Sequence, residues 1–363
     1  MNIAHITEST GISGGTQQLI LLIKGLKKNG HKIHLICQLE SKIGNYFKES
    51  GIKIKPIKMR QDYDIFSALN LRRYLVAEKI DILHSHHSRA HSIGLLATLG
   101  LKKIKFVVSR RVIFKLRNNI FSRLKYKSKK IDKYIAVSKS VKDMLVNYGI
   151  KNEKVNVIYS ATNTDIFSPI IRSKIRDEFN IPQTDFVCCL IGNYSYYKGH
   201  TFFLEATKKV TEKYKNIKFL IVGKTNNILQ DLAKKLQLEN DVIFLNFRTD
   251  IPQILKASNL LVCPSLQEGL AGAIREALAM EVPVVATAVG GNSEIVRNYE
   301  TGVLVEPRNS SAISDAIIFF IKNPDEAKKM GENGRKTVLE NFSIDTMVSK
   351  HEKVYEELMY GKS

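Results

Sequence analysis

The sequence predicts an α/β protein made of two doubly wound, parallel-sheet domains of similar size. Apolar runs rich in β-branched residues alternate with segments of helical periodicity along the whole chain, as in strands joined by crossover helices. A length of 363 residues exceeds one ordinary core and suits two domains of about 150 to 200 residues each. The apolar share of 44% and the charged share of 25% are those of a globular protein.

The elements of the first half begin with a strand and an amphipathic helix. Residues 2–7 have a strand pattern, and residues 15–30 have a helical apolar stripe that ends at Gly30. Further strands, each followed by a loop and a helical pattern, are predicted at 32–37, 80–85, 104–109 and 133–138. This half is therefore predicted to form one doubly wound sheet.

The second half repeats this scheme and ends with an additional helix. Its strands are predicted at 186–192, 217–223, 241–246, 259–265 and 283–288. Its helices include 200–214, 251–258 and 272–280. A last helical pattern at 344–358 follows the completed second sheet, so the predicted division is 1–160, 161–343 and a C-terminal helical segment, 344–363.

The net charge of +21 lies entirely in the first half. Residues 161–363 are neutral, and no acidic residue occurs between Ile82 and Ile131. Such a domain is expected to meet an anionic partner: nucleic acid, a phosphorylated substrate or an anionic membrane face. Residues 113–130 carry seven basic residues beside an apolar helical side, the composition of an interfacial amphipathic segment. A core-facing helix with a solvated basic side is the alternative.

Targeting signals and cysteine chemistry are not evident. No apolar run reaches the ~18 residues that cross a bilayer, and the first ten residues lack a basic region followed by an apolar one. We therefore expect a cytoplasmic protein. The four cysteines lie in apolar strand-like runs without metal-ligand spacing and are expected to be buried thiols.

Four loops follow predicted strands, where open α/β sheets bind ligands. Residues 9–18 are glycine-rich but match neither a P-loop nor a dinucleotide fingerprint, so a tight turn is the alternative. In 191–203, Lys198 precedes a helix; an anion between them would be stabilising, and a solvated surface lysine is the alternative. In 288–296, a glycine pair precedes Asn292 or Ser293 as an expected N-cap.

The remaining loop places Glu268 and Glu276 on either side of small residues. A carboxylate accepts two hydrogen bonds and suits the vicinal hydroxyls of a ribose or a hexose. Gly269, Ala271 and Gly272 leave the backbone between them open to a polyhydroxylated ligand. The alternative is that Glu276 complements a helix dipole and Glu268 caps the helix.

The ordered motifs of the chain resemble those of the retaining GT-B fold glycosyltransferases of the large family four, the glycosyl transferases group 1. The hallmark stands here as 264-PSLQEGLAGAIREALAMEVPVVATAVGGNSEIV-296, with two glutamates, a Val-Pro-Val-Val-Ala-Thr stretch and a Gly-Gly pair. Further stretches that resemble the family pattern are 14–19, 30–37, 81–86, 135–141, 157–167, 192–199, 241–252 and 299–307.

This resemblance implies two Rossmann-like domains that face a central cleft. Residues 1–160 would form the acceptor side and residues 161–343 would bind the nucleotide-sugar donor, while the C-terminal helix would cross back to the N-terminal domain. The reaction would be a retaining sugar transfer without a metal or cofactor, and the donor is expected to be a UDP-sugar.

The resemblance also implies roles for individual residues. Glu268 and Lys198 would be catalytic, with Glu268 on the donor sugar and Lys198 on the diphosphate leaving group. Glu276 would bind the ribose hydroxyls. The other donor-binding residues would be Gly14, Gly15, Asn193, Gly269, Leu270, Ala271 and Gly272.

The chain departs from the family pattern on the diphosphate side. Asn193 stands where relatives usually have arginine, so one diphosphate cation is missing. Arg110 or Arg111 could replace it or bind an anionic acceptor. His86 and His87 end the neighbouring strand and are further acceptor-side candidates, although a structural role is the alternative.

The resulting hypothesis is a glycosyltransferase acting on a lipid-linked or lipopolysaccharide-type, cell-surface glycan acceptor. It would work at the cytoplasmic face of the plasma membrane, held peripherally through residues 113–130. A nucleotide-sugar epimerase of the same fold is the first alternative. Nucleic-acid binding through the basic half is a less favoured alternative, because no recognised nucleic-acid module is present. No nucleic-acid partner is expected.

Overall fold

The computed structural model describes residues 1–361, which contain two β-sheets. The strands of the first sheet are β1 (Asn2–Ile6), β2 (Lys32–Cys37), β3 (Lys53–Pro56), β4 (Ile82–Ser85), β5 (Lys105–Arg110), β6 (Lys133–Ala136) and β7 (Val155–Val157). Those of the second are β8 (Phe186–Ile191), β9 (Ile217–Val222), β10 (Val242–Asn246), β11 (Leu260–Cys263), β12 (Val284–Thr287) and β13 (Gly302–Val305).

Helices alternate with these strands along the chain. In the first half they are α1 (Gly14–Lys28), α2 (Lys42–Phe47), α3 (Ile65–Ala77), α4 (Ser88–Thr98), α5 (Ile120–Tyr126) and α6 (Lys139–Asn147). They continue with α7 (Ile175–Glu178), α8 (His200–Thr211), α9 (Asn227–Lys235), α10 (Ile251–Ala257), α11 (Gly272–Ala279) and α12 (Asn292–Ile295). The last three are α13 (Ser310–Lys322), α14 (Pro324–Asn341) and α15 (Ile344–Tyr360).

The strand order confirms the predicted fold class. The first sheet runs β3-β2-β1-β4-β5-β6-β7 and the second β10-β9-β8-β11-β12-β13. Every strand pair in the described residues is parallel. Both sheets are therefore doubly wound, and each has one point where the strand order reverses, between β1 and β4 and between β8 and β11.

The chain divides into two compact units. One comprises Met1–Ala161 together with the chain from Ile344 onward, and the other comprises Thr162–Ser343. Within the first unit α15 packs against α1, where Gly25 leaves room for the side chain of Val348. Tyr355 of α15 is fully buried in the same core. Helix α15 therefore covers one face of the first sheet.

The structure adds edge strands and two helices to the predicted elements. The edge strands β3, β7 and β13 and the helices α13 and α14 were not predicted. Within 113–130, only α5 is helical, because Asn119 caps it by accepting the N–H of Ser122 at 2.8 Å. Residues 111–118 have no regular structure. The four cysteines are buried and free, as expected.

None of the described helices combines the length and the apolar composition that a bilayer-spanning helix requires.

Candidate functional site

Two loops meet where the strand order of the second sheet reverses. Strand β8 lies between β9 and β11, so the loops that follow β8 and β11 open a crevice at the carboxyl edge of the sheet. The loop after β8 contains a short 3-10 turn that ends at Lys198, and the loop after β11 contains Glu268. The two residues expected to be catalytic therefore come from adjacent strands.

An ion pair joins these two loops. The Nζ atom of Lys198 lies 2.5 Å from Oε1 of Glu268, and the buried Ser265 hydroxyl donates to the same oxygen at 2.9 Å. Burial is the largest single influence on Lys198 and opposes its charge, but the Glu268 carboxylate, together with Cys263 and Glu276, outweighs burial, so the pKa of the lysine is raised. Lys198 is therefore a permanent cation, and its ammonium group has donors beyond the one that Glu268 uses.

Two glycines allow neighbouring loops to contact the Glu268 loop through their backbones. Gly199 has φ +70°, and a Cβ atom there would collide with the carbonyl oxygen of Pro264. Gly290 has φ +53°, and a Cβ atom there would collide with the carbonyl oxygen of Glu268. Both positions require the left-handed backbone region as well as the space that glycine leaves. Close packing around Glu268 thus explains the Lys-Gly and Gly-Gly signals of the sequence.

Buried polar side chains support the Glu268 loop from strand β12. The Thr287 hydroxyl donates to the carbonyl of Ser265, and the Asn292 amide donates to the carbonyl of Thr287 at 3.1 Å. Asn292 is therefore turned inward, and Gly291 is the N-cap of α12 instead of the expected Asn292 or Ser293. Ser265 and Thr287 were missed by sequence reasoning because hydroxyl residues are ordinary in loops that follow strands.

The second glutamate of the hallmark lies on α11. Oε1 of half-buried Glu276 is 3.7 Å from the position that a Cβ atom of Gly272 would occupy, so the carboxylate lies beside the first turn of the helix. Burial raises the pKa of Glu276, while the charges of Arg275 and Lys198 act in the opposite direction. Lys198 thus interacts with both glutamates of the hallmark.

Arg275, next to Glu276, is a candidate functional residue that sequence reasoning missed. Its side chain is buried and donates to the Thr162 hydroxyl at 3.3 Å. Burial lowers the pKa of this arginine to about 10, and the adjacent Glu276 acts against that shift. An arginine on a helix is normally exposed, so the sequence contains no signal that separates Arg275 from a surface cation.

The backbone between the two glutamates leads directly into the N-terminus of α11. Gly269 and Leu270 connect Glu268 to Ala271, which is the N-cap and makes no side-chain capping bond in the described structure. The first N–H groups of this helix are the kind of donors that bind ligand oxygens. The expected contact of these residues with a donor sugar remains a prediction.

Asn193 forms a hydrogen bond that joins two neighbouring loops. Its Oδ1 accepts the backbone N–H of Lys224 at 2.9 Å, and the N–H of Tyr194 donates to the carbonyl of Lys224 at 2.7 Å. These bonds join the loop after β8 to the loop after β9. A donor-binding role for Asn193 also remains a prediction.

The reversal point of the first sheet brings another group of candidates together. Helix α1 begins at Gly14, and Ser13 caps it. A Cβ atom on Gly15 would lie 3.5 Å from Nε2 of His87 and 3.8 Å from Cδ of Arg111. His87 and Arg111 therefore lie beside the N-terminus of α1, at the carboxyl edge of the first sheet.

The two adjacent arginines at the end of β5 contact different layers of the first unit, as the alternation of side chains along a strand requires. Arg110 donates to the carbonyl of Phe114 at 2.9 Å and to the Tyr126 hydroxyl at 3.3 Å, which fixes the segment before α5. Arg111 instead places Nη2 3.1 Å from Nδ1 of His86. The sequence-based expectation treated the two as interchangeable; the structure separates them.

A group of buried histidines lies beneath α15. His84 bonds the Tyr355 hydroxyl through Nδ1 at 2.6 Å and the Ser109 hydroxyl through Nε2 at 2.8 Å. The Nδ1 atom of His5 lies 2.9 Å from Nε2 of His86. Burial lowers the pKa of His5 to about 3 and that of His84 and His86 well below the usual 6.5, so all three are neutral near pH 7.

Nitrogen atoms of His5, His84 and His86 lie within 4.8 Å of one another, a spacing that could hold a metal ion. The surroundings oppose this use. A histidine that binds a metal normally donates its other N–H to an acceptor, whereas Nδ1 of His86 faces the guanidinium of Arg111, which can only donate. We therefore interpret the group as a hydrogen-bonded network.

This chain has two parallel Rossmann-like sheets, with a lysine and two glutamates at the reversal point of the second. That arrangement is typical of the GT-B fold glycosyltransferases. The family model described as Glycosyl transferases group 1 matches residues 171–337, and the model described as Glycosyltransferase Family 4 matches residues 12–166. The chain belongs to the group 1 glycosyltransferases, as the sequence motifs predict.

Individual relatives match nearly the whole chain. N-acetyl-alpha-D-glucosaminyl L-malate synthase of Bacillus anthracis is 26% identical over 97% of this chain and 95% of its own length. UDP-Gal:alpha-D-GlcNAc-diphosphoundecaprenol alpha-1,3-galactosyltransferase of Escherichia coli is 25% identical over 100% and 98%. The crystal structure of a glycosyltransferase from Rickettsia africae ESF-5 superposes with a TM-score of 0.90 at 26% identity and covers 99% of each chain.

Proposed function

We propose that this glycosyltransferase transfers a sugar, with retention and without a metal, from a UDP-sugar to an anionic glycan or glycolipid acceptor of the cell surface. The observation that carries the proposal is the contact of Lys198 with Glu268 at the reversal point of the second sheet. Glu276 adds a second carboxylate that interacts with the same lysine. The arrangement combines one cation for a leaving diphosphate with two acceptors for sugar hydroxyls.

The chemistry of the leaving group explains the need for Lys198. When the bond between the sugar and the diphosphate breaks, negative charge develops on the departing oxygen, and a fixed cation stabilises it. Lys198 supplies that charge without a metal, and its ammonium group can contact phosphate while it stays near Glu268. In this mechanism Glu268 binds hydroxyls of the donor sugar, and Glu276 binds those of the ribose.

The names of the relatives support both substrates. The Escherichia coli protein uses UDP-Gal by its name, which supports a UDP-sugar donor here. The acceptors named for the two relatives, L-malate and a diphosphate-linked lipid saccharide, are both anionic. An anionic acceptor also suits a first half that carries the whole net charge of +21.

An apolar surface of the first unit supports a membrane location for the acceptor. Three side chains of α5 are 62–64% exposed: Ile120, Phe121 and Leu124. The Tyr63 hydroxyl donates to the carbonyl of Phe121 at 3.0 Å and so joins α5 to the start of α3. There Ile65 is 64% exposed and Phe66 86%. Adjacent exposed apolar side chains of this kind mark an interaction surface.

The basic residues around this surface fall into two groups. Lys125 and Lys130 bond backbone carbonyls, of Ser88 at 2.7 Å and of Ile104 at 2.6 Å, so they hold the fold together. The other basic residues of 113–130 are exposed: Lys115, Arg117, Arg123, Lys127 and Lys129. Cations beside an exposed apolar patch suit an anionic leaflet, and we propose the cytoplasmic face of the plasma membrane.

Membrane binding can be tested on the α5 side chains. The double substitution Phe121→Ser and Leu124→Ser is expected to weaken co-sedimentation with vesicles of phosphatidylglycerol and phosphatidylcholine about 10-fold or more, since burying each side chain contributes about 1.5–3 kcal/mol. Ile170→Ser is the matched control, because Ile170 is 88% exposed but lies in the second unit. Binding that the double substitution leaves intact, or that added salt does not weaken, would contradict the membrane location.

The enzymatic proposal is tested by incubating the protein with UDP-sugars, with and without a lipid extract that contains glycolipids. UDP release that requires the extract, with a product of unchanged anomeric configuration by NMR, is the expected result. An isomerised sugar nucleotide without any acceptor would indicate an epimerase instead. Inverted product would refute the proposed stereochemistry, and full activity of a metal-free sample in EDTA is expected.

A further inference from the structure

Among the described residues, Arg111 is a cation without an acidic partner. Its guanidinium contacts His86, and among the described residues no carboxylate forms an ion pair with it. Burial lowers the pKa of Arg111 to about 10, with only the Tyr355 phenol acting against the shift. Arg111 is half-buried, and a partly desolvated guanidinium without a carboxylate is stabilised when an anion binds to it. The position beside His87 and the N-terminus of α1 suits such an anion.

The hydrogen bonds around Arg111 have a fixed direction. A guanidinium can only donate, so Nδ1 of His86 accepts from Arg111 at 3.1 Å and carries no proton. The proton of neutral His86 is therefore on Nε2, which donates to Nδ1 of His5 at 2.9 Å. His5 in turn carries its proton on Nε2. We call this series of hydrogen bonds the relay: Arg111 donates to His86, and His86 donates to His5.

Strand geometry explains why the histidines of the relay lie close together. His5 of β1 is in register with His84 of β4, and His86 lies two residues further along, so the histidines share one face of the sheet. That face is covered by α15, and His5 and His86 are 0% and 3% exposed. The two histidines are therefore shielded from water and depend on each other and on half-buried Arg111 for hydrogen bonds.

In the described structure, the last group of the relay, Nε2–H of His5, is an unsatisfied buried donor, which destabilises the folded protein. Nε2 of His5 is buried and has no hydrogen-bond partner among the described residues, although it carries a proton in this arrangement. An apolar residue at position 5 would remove that unsatisfied donor. It would also leave Nε2–H of His86 without an acceptor, which destabilises the tautomer that accepts from Arg111. His5 therefore stabilises the tautomer that Arg111 needs.

We propose that His86 and His5 are positioning residues that hold Arg111 as a fixed cation for a phosphate or carboxylate group of the substrate. The inference rests on the proposed function, because it assigns the anion to a substrate of the transfer reaction. The anion is either the diphosphate of the donor or an acidic group of the acceptor. Both offer the oxygen pair that a guanidinium binds in bidentate fashion.

Two substitutions of His86 distinguish a positioning role from a packing role, because each role predicts that a different substitution is the more damaging one. His86→Asn keeps an acceptor close to the position of Nδ1, whereas His86→Leu provides apolar volume without an acceptor. If His86 positions Arg111, KM for the anionic substrate rises about 10-fold or more in His86→Leu and much less in His86→Asn. If His86 only fills the core, His86→Asn is the more damaging change in both KM and Tm.

A double-mutant cycle tests whether His86 acts through Arg111. In an Arg111→Ala background, His86→Leu is expected to have no further effect on KM; additive effects would overturn the proposal. His5→Leu is a second probe, expected to raise KM in the same direction by a smaller factor, and it serves if His86→Leu does not fold. Unchanged KM in a folded His5→Leu and His86→Leu pair would also overturn the proposal.

Separate binding measurements identify the source of the anion. The Kd of UDP, measured by calorimetry on the intact protein, rises in His86→Leu if Arg111 binds the donor diphosphate. An unchanged Kd with a raised KM for the glycolipid acceptor assigns Arg111 to the acceptor. Failure of the proposed function is distinguishable, because the protein would then show no transfer in wild type, while inorganic pyrophosphate binding would still report whether Arg111 depends on His86. Pyrophosphate binding insensitive to both Arg111→Ala and His86→Leu would count against the relay.

Discussion

Lys198→Ala is expected to lower kcat about 100-fold or more, because the cation that we propose for the leaving diphosphate is lost. The effect on KM for the donor should be smaller, since charge on the leaving oxygen grows mainly in the transition state. Lys198 is also the partner of Glu268 at 2.5 Å, so its loss leaves that carboxylate free to repel the diphosphate. Steady-state kinetics with a UDP-sugar and the active acceptor measure both parameters.

A surface lysine of the same unit provides the control. Lys208 forms an exposed i,i+4 ion pair with Glu212 at 3.9 Å, so Lys208→Ala is expected to leave kcat unchanged. Circular dichroism should show both variants folded. Near wild-type turnover in folded Lys198→Ala would refute the assignment of the leaving-group cation.

Glu276→Ala is expected to raise KM for the donor by about 10- to 100-fold, the loss of one or two hydrogen bonds to a charged acceptor. Glu276→Gln, which retains one acceptor oxygen and the volume of the side chain, should fall between wild type and alanine. The measurements are the KM of the UDP-sugar and the Kd of UDP. Equal donor affinity in all three proteins would remove Glu276 from the donor site.

The raised pKa of Glu276 gives this prediction a pH dependence. Hydroxyls donate best to the ionised carboxylate, so donor affinity is expected to be full well above the raised pKa and to fall as pH decreases through it. The fall should begin at a higher pH than the usual glutamate pKa of 4.5 would give. Glu276→Gln, which does not titrate, should lose this component, and a wild-type pH profile in that variant would assign the titration to another group.

The fold and the loops at the reversal point of the second sheet could be predicted because they follow from local patterns. Strand and helix periodicity fixed the fold class, and the hallmark segment contains both glutamates within one strand–loop–helix unit. The position of Lys198 before a helix suggested an anion site, the family resemblance supplied its expected role, and the structure places it at the reversal point beside Glu268. These residues are placed by the elements in which they occur.

The first-unit candidates could not be resolved in the same way, because their partners come from distant parts of the chain. Alternation along β5 could have separated Arg110 from Arg111, but the partner of His84, Tyr355, follows it by 271 residues. The tautomers of His5 and His86 depend on contacts between β1, β4 and the residue after β5. A single sequence contains no signal for such tertiary pairs.

The packing of α15 on α1 has a consequence for biosynthesis. Val348, Val354 and Tyr355 belong to the core of the first unit, although the whole second unit precedes them in the chain. The second unit is continuous in sequence and is available to fold as soon as it has left the ribosome, whereas the first remains without part of its core until α15 has also been made. The unit that is made first is thus the one that is completed last.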